Sequence, residues 1–315
     1  MKQIAKLHLH VTNQCTHYCR HCSSEAGPHG KRYLTTRDFQ YILDWARDAG
    51  AKWVELSGGE PLTLGEDLFQ LIEYAHENDL YTSLLSNGSL IDLPTAHTLR
   101  DAGIGRVGVS IYGANSNTHD DFTRTPGSFS KTVRGMQHLT QASIETIANV
   151  VVTPKNLAEL HQLPSLLDGI AGYAFGAVVP AGRGRTLPGY TFSEEGSARA
   201  IRAIESAFSG ISHYFMLSLY PASSENMTRY CMRPFDEVTV NHEGQVIPCC
   251  VFPEDLLCRV GNAKERNFDE IVLDAPVFYW LKKGHQRMRE ALQGSPAKHN
   301  LCTSCIAMLR SLTAS

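Results

Sequence analysis

The chain has 315 residues, 43% hydrophobic and 19% charged, the balance of an ordinary globular protein with room for one large domain and a smaller appendage. A net charge of −3 excludes the basic footprint of a nucleic-acid binder and leaves room for a cationic substrate. No stretch approaches the roughly 18 apolar residues of a membrane span. The N-terminus MKQIAKLHLHVTNQC lacks the apolar core of a signal peptide. A cytoplasmic protein without membrane or nucleic-acid partners is expected.

The first two thirds alternate strand-like and helix-like segments. Strands are expected at Leu7–Val11, Trp53–Leu56, Tyr81–Leu85, Arg106–Ile111, Thr146–Val152 and Tyr173–Val179. Helices are expected at Thr36–Ala49, Glu66–Asn78, Pro94–Ala102, Phe129–Gln141 and Leu157–Leu167. In Glu66–Asn78, Leu68, Leu71, Ile72 and Ala75 share one face. Six βα units predict an α/β fold with a parallel sheet, closed or stopping as a six-stranded open barrel. The ligand site then lies at the C-terminal ends of the strands. The segment AGRGRTLPGY (Ala181–Tyr190) marks the end of that barrel, which divides the chain into 1–190 and 191–315. A helix at Ser193–Phe208 and a strand at Tyr214–Tyr220 are expected next. A hairpin of Glu237–Val240 and Gln245–Pro248 about the turn NHEG follows, then a helix near Val277–Leu292.

Nine cysteines are many for such a chain. Three lie at 15–22 and six beyond residue 230, so two separate cysteine sites are expected, as ligands or reactive thiols rather than disulfides. Cys15, Cys19 and Cys22 form C-x3-C-x2-C directly after the first strand, on a loop at the mouth of the sheet. Three thiolates suit an iron–sulfur cluster with one iron left open. The competing reading is zinc, with His10, His17 or His21 completing the ligands. Gly58-Gly59-Glu60-Pro61 follows the second strand, Ser86-Asn87-Gly88 the third, and Ser110 ends the fourth in VSIYGA.

This order of motifs over roughly residues 5–180 resembles the radical S-adenosylmethionine (SAM) superfamily. The resemblance implies a partial (β/α)6 barrel. Cys15, Cys19 and Cys22 would hold a [4Fe-4S] cluster that binds and reductively cleaves SAM to a 5′-deoxyadenosyl radical. Gly58, Gly59, Glu60 and Pro61 would meet the SAM amino group. Ser86, Asn87 and Ser110 would complete the cofactor site, and Arg124 in DDFTRTPGSF would meet the SAM carboxylate or serve as a surface charge. An external electron donor is implied, such as a flavodoxin, a ferredoxin or a chemical reductant.

Cys231, Gly244 and Cys249 fit C-x12-G-x4-C, and Cys302-x2-Cys305 ends the pattern. This resembles the "twitch" form of the SPASM extension and implies one auxiliary [4Fe-4S] cluster; structural zinc is the alternative. Cys231, Cys302 and Cys305 are expected ligands, with Cys249, Cys250 or Cys258 as the fourth. Alternation along Val246–Cys250 lets one thiol face the cluster while its neighbour faces the barrel mouth.

The first strand begins within ten residues of the N-terminus, which favours a small-molecule substrate over a peptide with a leader-binding domain. The chain length, the single C-terminal cluster and the Cys249-Cys250 pair resemble aminoglycoside epimerases of the neomycin C type. That resemblance implies inversion of one sugar carbon, with Cys249 returning hydrogen and Cys250 as the fourth auxiliary-cluster ligand. A polycationic substrate calls for carboxylates, for which Glu25, Asp120, Asp121, Glu225, Glu254 and Asp255 are candidates; Tyr112 and His17 are candidates to line the mouth. The competing readings are an aminoglycoside dehydrogenase or dehydratase, a peptide-modifying enzyme with a separate leader-binding partner, and a zinc-stabilised binding protein.

Overall fold

The computed structural model describes residues 4–32, 34–219, 237–247, 249, 261–265 and 270. Strands β1 (Lys6–Thr12), β2 (Trp53–Gly58), β3 (Tyr81–Ser86), β4 (Arg106–Ile111), β5 (Glu145–Val152) and β6 (Gly172–Ala177) are each parallel to the next in sequence. Helices α1 (Thr36–Asp48), α2 (Glu66–Glu77), α3 (Leu93–Asp101), α4 (Ser116–Thr123), α5 (Ser128–Gln141) and α6 (Leu163–Leu166) lie in the crossovers. Among the described residues the sheet is open, in the order β7-β6-β5-β4-β3-β2-β1-β8-β9. Helix α7 (Glu194–Ala207) leads to β7 (His213–Phe215), which pairs with β6. Strand β8 (Glu237–Val240) runs parallel to β1, and β9 (Val246–Ile247) returns antiparallel to β8. The chain after residue 191 therefore adds strands to both edges of the barrel sheet.

Three expectations change. The Tyr214–Tyr220 strand shrinks to His213–Phe215, because Leu217–Leu219 turns into a 3-10 helix. The Leu157–Leu167 helix divides into a 3-10 turn at Leu157–Gln162 and the single turn α6, broken where Pro164 enters the helix. Helix α4 was not foreseen, since its SNTHDDFT has little apolar periodicity; Asn115 starts it by accepting from the Thr118 N–H at 3.1 Å. The expected helix at Val277–Leu292 lies outside the described residues.

Alternation along β1 divides the molecule. Leu7, Leu9 and Val11 join Phe39, Ile42 and Leu43 of α1 in the main apolar core between sheet and helices. Each such buried side chain contributes roughly 1.5–3 kcal/mol. The opposite, inward face is polar. Lys6 Nζ lies 3.1 Å from Glu55, and His8 bridges Glu55 at 2.8 Å and Glu237 at 2.9 Å. Lys6 and Arg106 both stack on Trp53, closing the N-terminal end of the strands with charge and aromatic surface. The C-terminal ends are left to the functional loops.

Candidate functional site

The loop after β1 carries Cys15, Cys19 and Cys22 as partly exposed free thiols. Short backbone bonds fold it: Cys15 N–H donates to the Gly27 carbonyl at 2.9 Å, and Cys22 N–H to the Cys19 carbonyl at 3.4 Å. The Cys15 sulfur accepts from the His17 N–H at 3.4 Å and from Asn87 Nδ2 at 3.8 Å. Burial pushes the Cys15 thiol up to about 11 and the Cys19 thiol higher still, with the neighbouring thiols adding to both. Such thiols keep their protons until a bound cation displaces them, releasing the protons to solvent.

Among the described residues, no three His, Cys, Asp or Glu side chains converge closely enough for a single metal ion. Of the imidazoles named as zinc ligands, two are engaged in packing. His21 packs on Tyr112 and Phe122 at 5.1 and 4.8 Å, and His17 is buried. Burial lowers both to about 4. An all-sulfur donor set with N–H groups aimed at sulfur fits a [4Fe-4S] cluster held by three thiolates.

The turn after β2 is sutured to this loop. Gly59 N–H donates to the Thr12 carbonyl and Glu60 N–H to the Gln14 carbonyl, both at 2.7 Å. Gly58 has φ +124, and a Cβ at Gly59 would overlap the Gln14 carbonyl, so only glycines allow this approach. The buried Glu60 carboxylate accepts from Ser86 Oγ at 2.9 Å, Asn87 N–H at 2.8 Å and Leu62 N–H at 3.2 Å. Burial raises its pKa to about 7 against the pull of those donors. The side chains of Glu60 and Ser86 thus brace one another, and Pro61 begins a 3-10 turn. Asn87 continues the chain of contacts, donating to Thr16 Oγ1 at 2.9 Å. The loops after β1, β2 and β3 form one hydrogen-bonded unit.

Ser110 lies near the end of β4, and Tyr112 just beyond it sits in a small apolar cluster against which Cys19 packs. Tyr112 is only 5% exposed and stacks on Phe122 at 4.6 Å, so it packs against the loop instead of lining the mouth. His17, 2% exposed, is likewise packing. Arg124 takes a left-handed conformation at the end of α4, with its guanidinium 5.3 Å from the Tyr18 ring of the cysteine loop. It shares an open cavity of about 450 Å³ with Arg20, Asp120 and Asp121.

Two proposed substrate carboxylates prove to be committed to local structure. Asp120 accepts from Gly127 N–H at 2.6 Å and from Phe129 N–H and Ser128 Oγ at 2.8 Å, holding the start of α5. Burial alone would raise its pKa, but those donors hold it below the usual range. Asp121 pairs with Arg20 at 2.6 Å and accepts from the Tyr190 hydroxyl at 2.9 Å. Glu25 is exposed in a left-handed turn of the cysteine loop. Glu225, Glu254, Asp255, Cys231, Cys250, Cys258, Cys302 and Cys305 lie outside the described residues. The sequence reading missed the inward Lys6–Glu55–His8–Glu237 chain; the alternation of KLHLH with leucine was the available signal.

The structure sets the direction of the C-terminal hairpin, on which the sequence alone is silent. Strand β9 returns from the mouth toward the N-terminal end of β1.

A parallel partial barrel with a three-thiol loop at its mouth, welded to a Gly-Gly-Glu-Pro turn, defines an iron–sulfur enzyme site of the radical SAM type. Residues 9–167 match the Radical SAM superfamily model, and the chain belongs to that superfamily. Residues 231–306 match the SPASM iron–sulfur cluster-binding domain. The chain is 31% identical to the AdoMet-dependent heme synthase of Methanosarcina barkeri, over 85% of this chain and 80% of that one. It is 24% identical to the subtilosin biosynthesis protein AlbA of Bacillus subtilis, over 87% of this chain and 61% of AlbA. The fold matches Streptococcus suis SuiB bound to its precursor peptide SuiA, with a TM-score of 0.78, 15% identity, and coverage of 97% of this chain and 76% of SuiB. The protein is thus a radical SAM enzyme with a SAM-binding and an auxiliary [4Fe-4S] cluster. Among the described residues, no helix is long and apolar enough to cross a membrane.

Proposed function

We propose that this enzyme inverts one sugar carbon of an aminoglycoside, taking hydrogen from one side and returning it from the Cys249 thiol on the other. The observation that carries the reading is the register of the C-terminal hairpin. Val240 pairs with Val246 and Thr239 with Ile247, and β9 ends at Ile247, two residues before Cys249. Lys6 pairs with Glu237 and His8 with Thr239 in β1, and Glu237 bonds His8 across the inward face. Thr239 and Ile247 share the inward face with Lys6 and His8, and by sequence alternation alone the neighbours Cys249 and Cys250 would take opposite faces. The division favours Cys249 as hydrogen donor and Cys250 as ligand of the auxiliary cluster.

The cluster and SAM together supply a 5′-deoxyadenosyl radical at the mouth. Cys15, Cys19 and Cys22 would hold the cluster; the turn Gly58–Pro61, Ser86, Asn87, Ser110 and Arg124 would surround SAM. Cys249 follows two residues after β9, which returns toward the other end of the barrel. A donor there reaches the face of the sugar carbon opposite to the one that lost hydrogen. An S–H bond is weaker than a sugar C–H bond, so the thiol gives its hydrogen to the carbon; one electron from the external donor and one solvent proton restore it. On the inward face, His10 and Ser57, side by side nearer the C-terminal ends of β1 and β2, carry hydrogen-bonding groups that suit a hydroxylated, amine-bearing substrate.

The experiment is turnover of neomycin C in deuterated water, with Cys249→Ala in parallel. An isomeric product with one non-exchangeable deuterium, lost in the variant, is the expected result. A product lighter by two hydrogens or by water would replace epimerisation with oxidation or dehydration. The names of relatives, a heme synthase and a bacteriocin biosynthesis protein, support a different reading, a substrate of another class such as a peptide.

A further inference from the structure

The loop after β6 reaches back over the cysteine loop. Arg183 Nε donates to the Cys19 carbonyl at 2.8 Å, and its terminal nitrogen donates to the Ala26 carbonyl at 2.7 Å. Its backbone N–H donates to the Cys22 carbonyl at 3.0 Å, and its guanidinium stacks on Tyr18 at 4.0 Å. One residue therefore grips the loop at four points between Tyr18 and Ala26, from 164 positions away in sequence at Cys19. Gly182 has φ +50, and a Cβ there would overlap the carbonyls of Cys22 and Ser23. The chain has been brought as close to the ligand loop as a backbone can come.

We propose that Arg183 is a positioning residue for the SAM-binding cluster, holding the cysteine loop in its ligand-ready shape before iron arrives and raising the cluster's reduction potential once it is bound. The first role follows from geometry. A planar guanidinium with two parallel carbonyl bonds and a ring stack fixes a loop in a way a flexible ammonium does not. The second follows from charge. A fixed cation beside an anionic cluster stabilises the reduced form, which carries one more negative charge, and the effect is large where water is displaced. The proposal is independent of the substrate, so it stands or falls separately from the epimerase reading.

The test compares Arg183→Lys and Arg183→Gln with the parent. Hydrogen exchange of the 15–26 segment is measured on iron-free protein. Iron uptake is measured after anaerobic reconstitution. The midpoint potential is followed by electron paramagnetic resonance of the cluster whose signal changes on adding SAM. Far-UV circular dichroism confirms folding. In Arg183→Gln, exchange should accelerate several-fold, iron uptake at this cluster should fall, and the potential should move negative. In Arg183→Lys, the potential should return to the parent's while fast exchange persists. Parent-like exchange in a folded Arg183→Gln protein would overturn the positioning role, as would full recovery of slow exchange by lysine. A parent-like potential in Arg183→Gln would overturn the electrostatic role.

Discussion

The Asn87 backbone N–H donates to the Glu60 carboxylate at 2.8 Å across 27 residues of sequence, and the Asn87 side chain donates to Thr16 in the cysteine loop. These contacts join the three loops that would hold cluster and SAM. Glu60→Ala leaves the Asn87 N–H and the Ser86 hydroxyl without their buried partner. A cost of about 1–3 kcal/mol per orphaned group follows. The variant should melt earlier and bind SAM more weakly, as read by thermal denaturation and equilibrium dialysis.

Glu60 and Glu55 lie five residues apart and have opposite pH signatures. Burial raises Glu60 from 4.5 to about 7, so the fold favours its protonated form. Its stabilisation is complete below pH 4.5 and is lost as pH rises through 7. Glu55 is lowered to about 2: burial opposes its charge, but His8 and Lys6 outweigh burial. Its stabilisation is present above pH 4.5 and is lost as pH falls toward 2, a contribution of order 3 kcal/mol. Glu55→Gln should flatten the acid limb of a stability–pH curve of the iron-free protein, whereas Glu60→Gln should flatten the limb between pH 4.5 and 7. Unchanged limbs would refute the assignments.

Asp120 holds the N-terminus of α5 through Gly127, Ser128 and Phe129. Asp120→Ala should destabilise the protein by about 0.5–2 kcal/mol, as loss of a cap does. Substrate KM should be unchanged. A raised KM with unaltered stability would return Asp120 to the list of substrate contacts.

Gly59→Ala drives a methyl group into the Gln14 carbonyl and separates the Gly-Gly-Glu-Pro turn from the cysteine loop. The chain should still fold, because the apolar core between sheet and helices is untouched. Circular dichroism near the parent's, with sharply reduced SAM binding after reconstitution, is the expected result.

Cys19→Ala should remove one cluster and leave the other, halving iron from about eight to about four per chain. Cys302→Ala should also remove about four, but should spare the spectral response to SAM. Iron analysis with electron paramagnetic resonance separates the two. Loss of all iron in either variant would contradict two independent sites.

The amino-acid sequence alone determined the βα order, the C-x3-C-x2-C loop at a strand end and the later turns at the ends of β2, β3 and β4. These features are local: strand alternation, glycine turns and cysteine spacing are written in neighbouring residues. Tertiary structure decided what each polar group does. Asp120 and Asp121 look like available carboxylates in sequence, yet local donors and Arg20 occupy them. Tyr112 packs against the cysteine loop and His17, within that loop, is turned inward, because the chain folds back there and burial outweighs their polarity. The grip of Arg183 on Cys19 and the Lys6–Glu55–His8–Glu237 chain join residues distant in sequence. The direction of β9 was equally illegible, since a hairpin shows its turn in sequence but not the strand beside which it docks. Such relationships depend on which strands become neighbours, and that is fixed only when the whole sheet assembles.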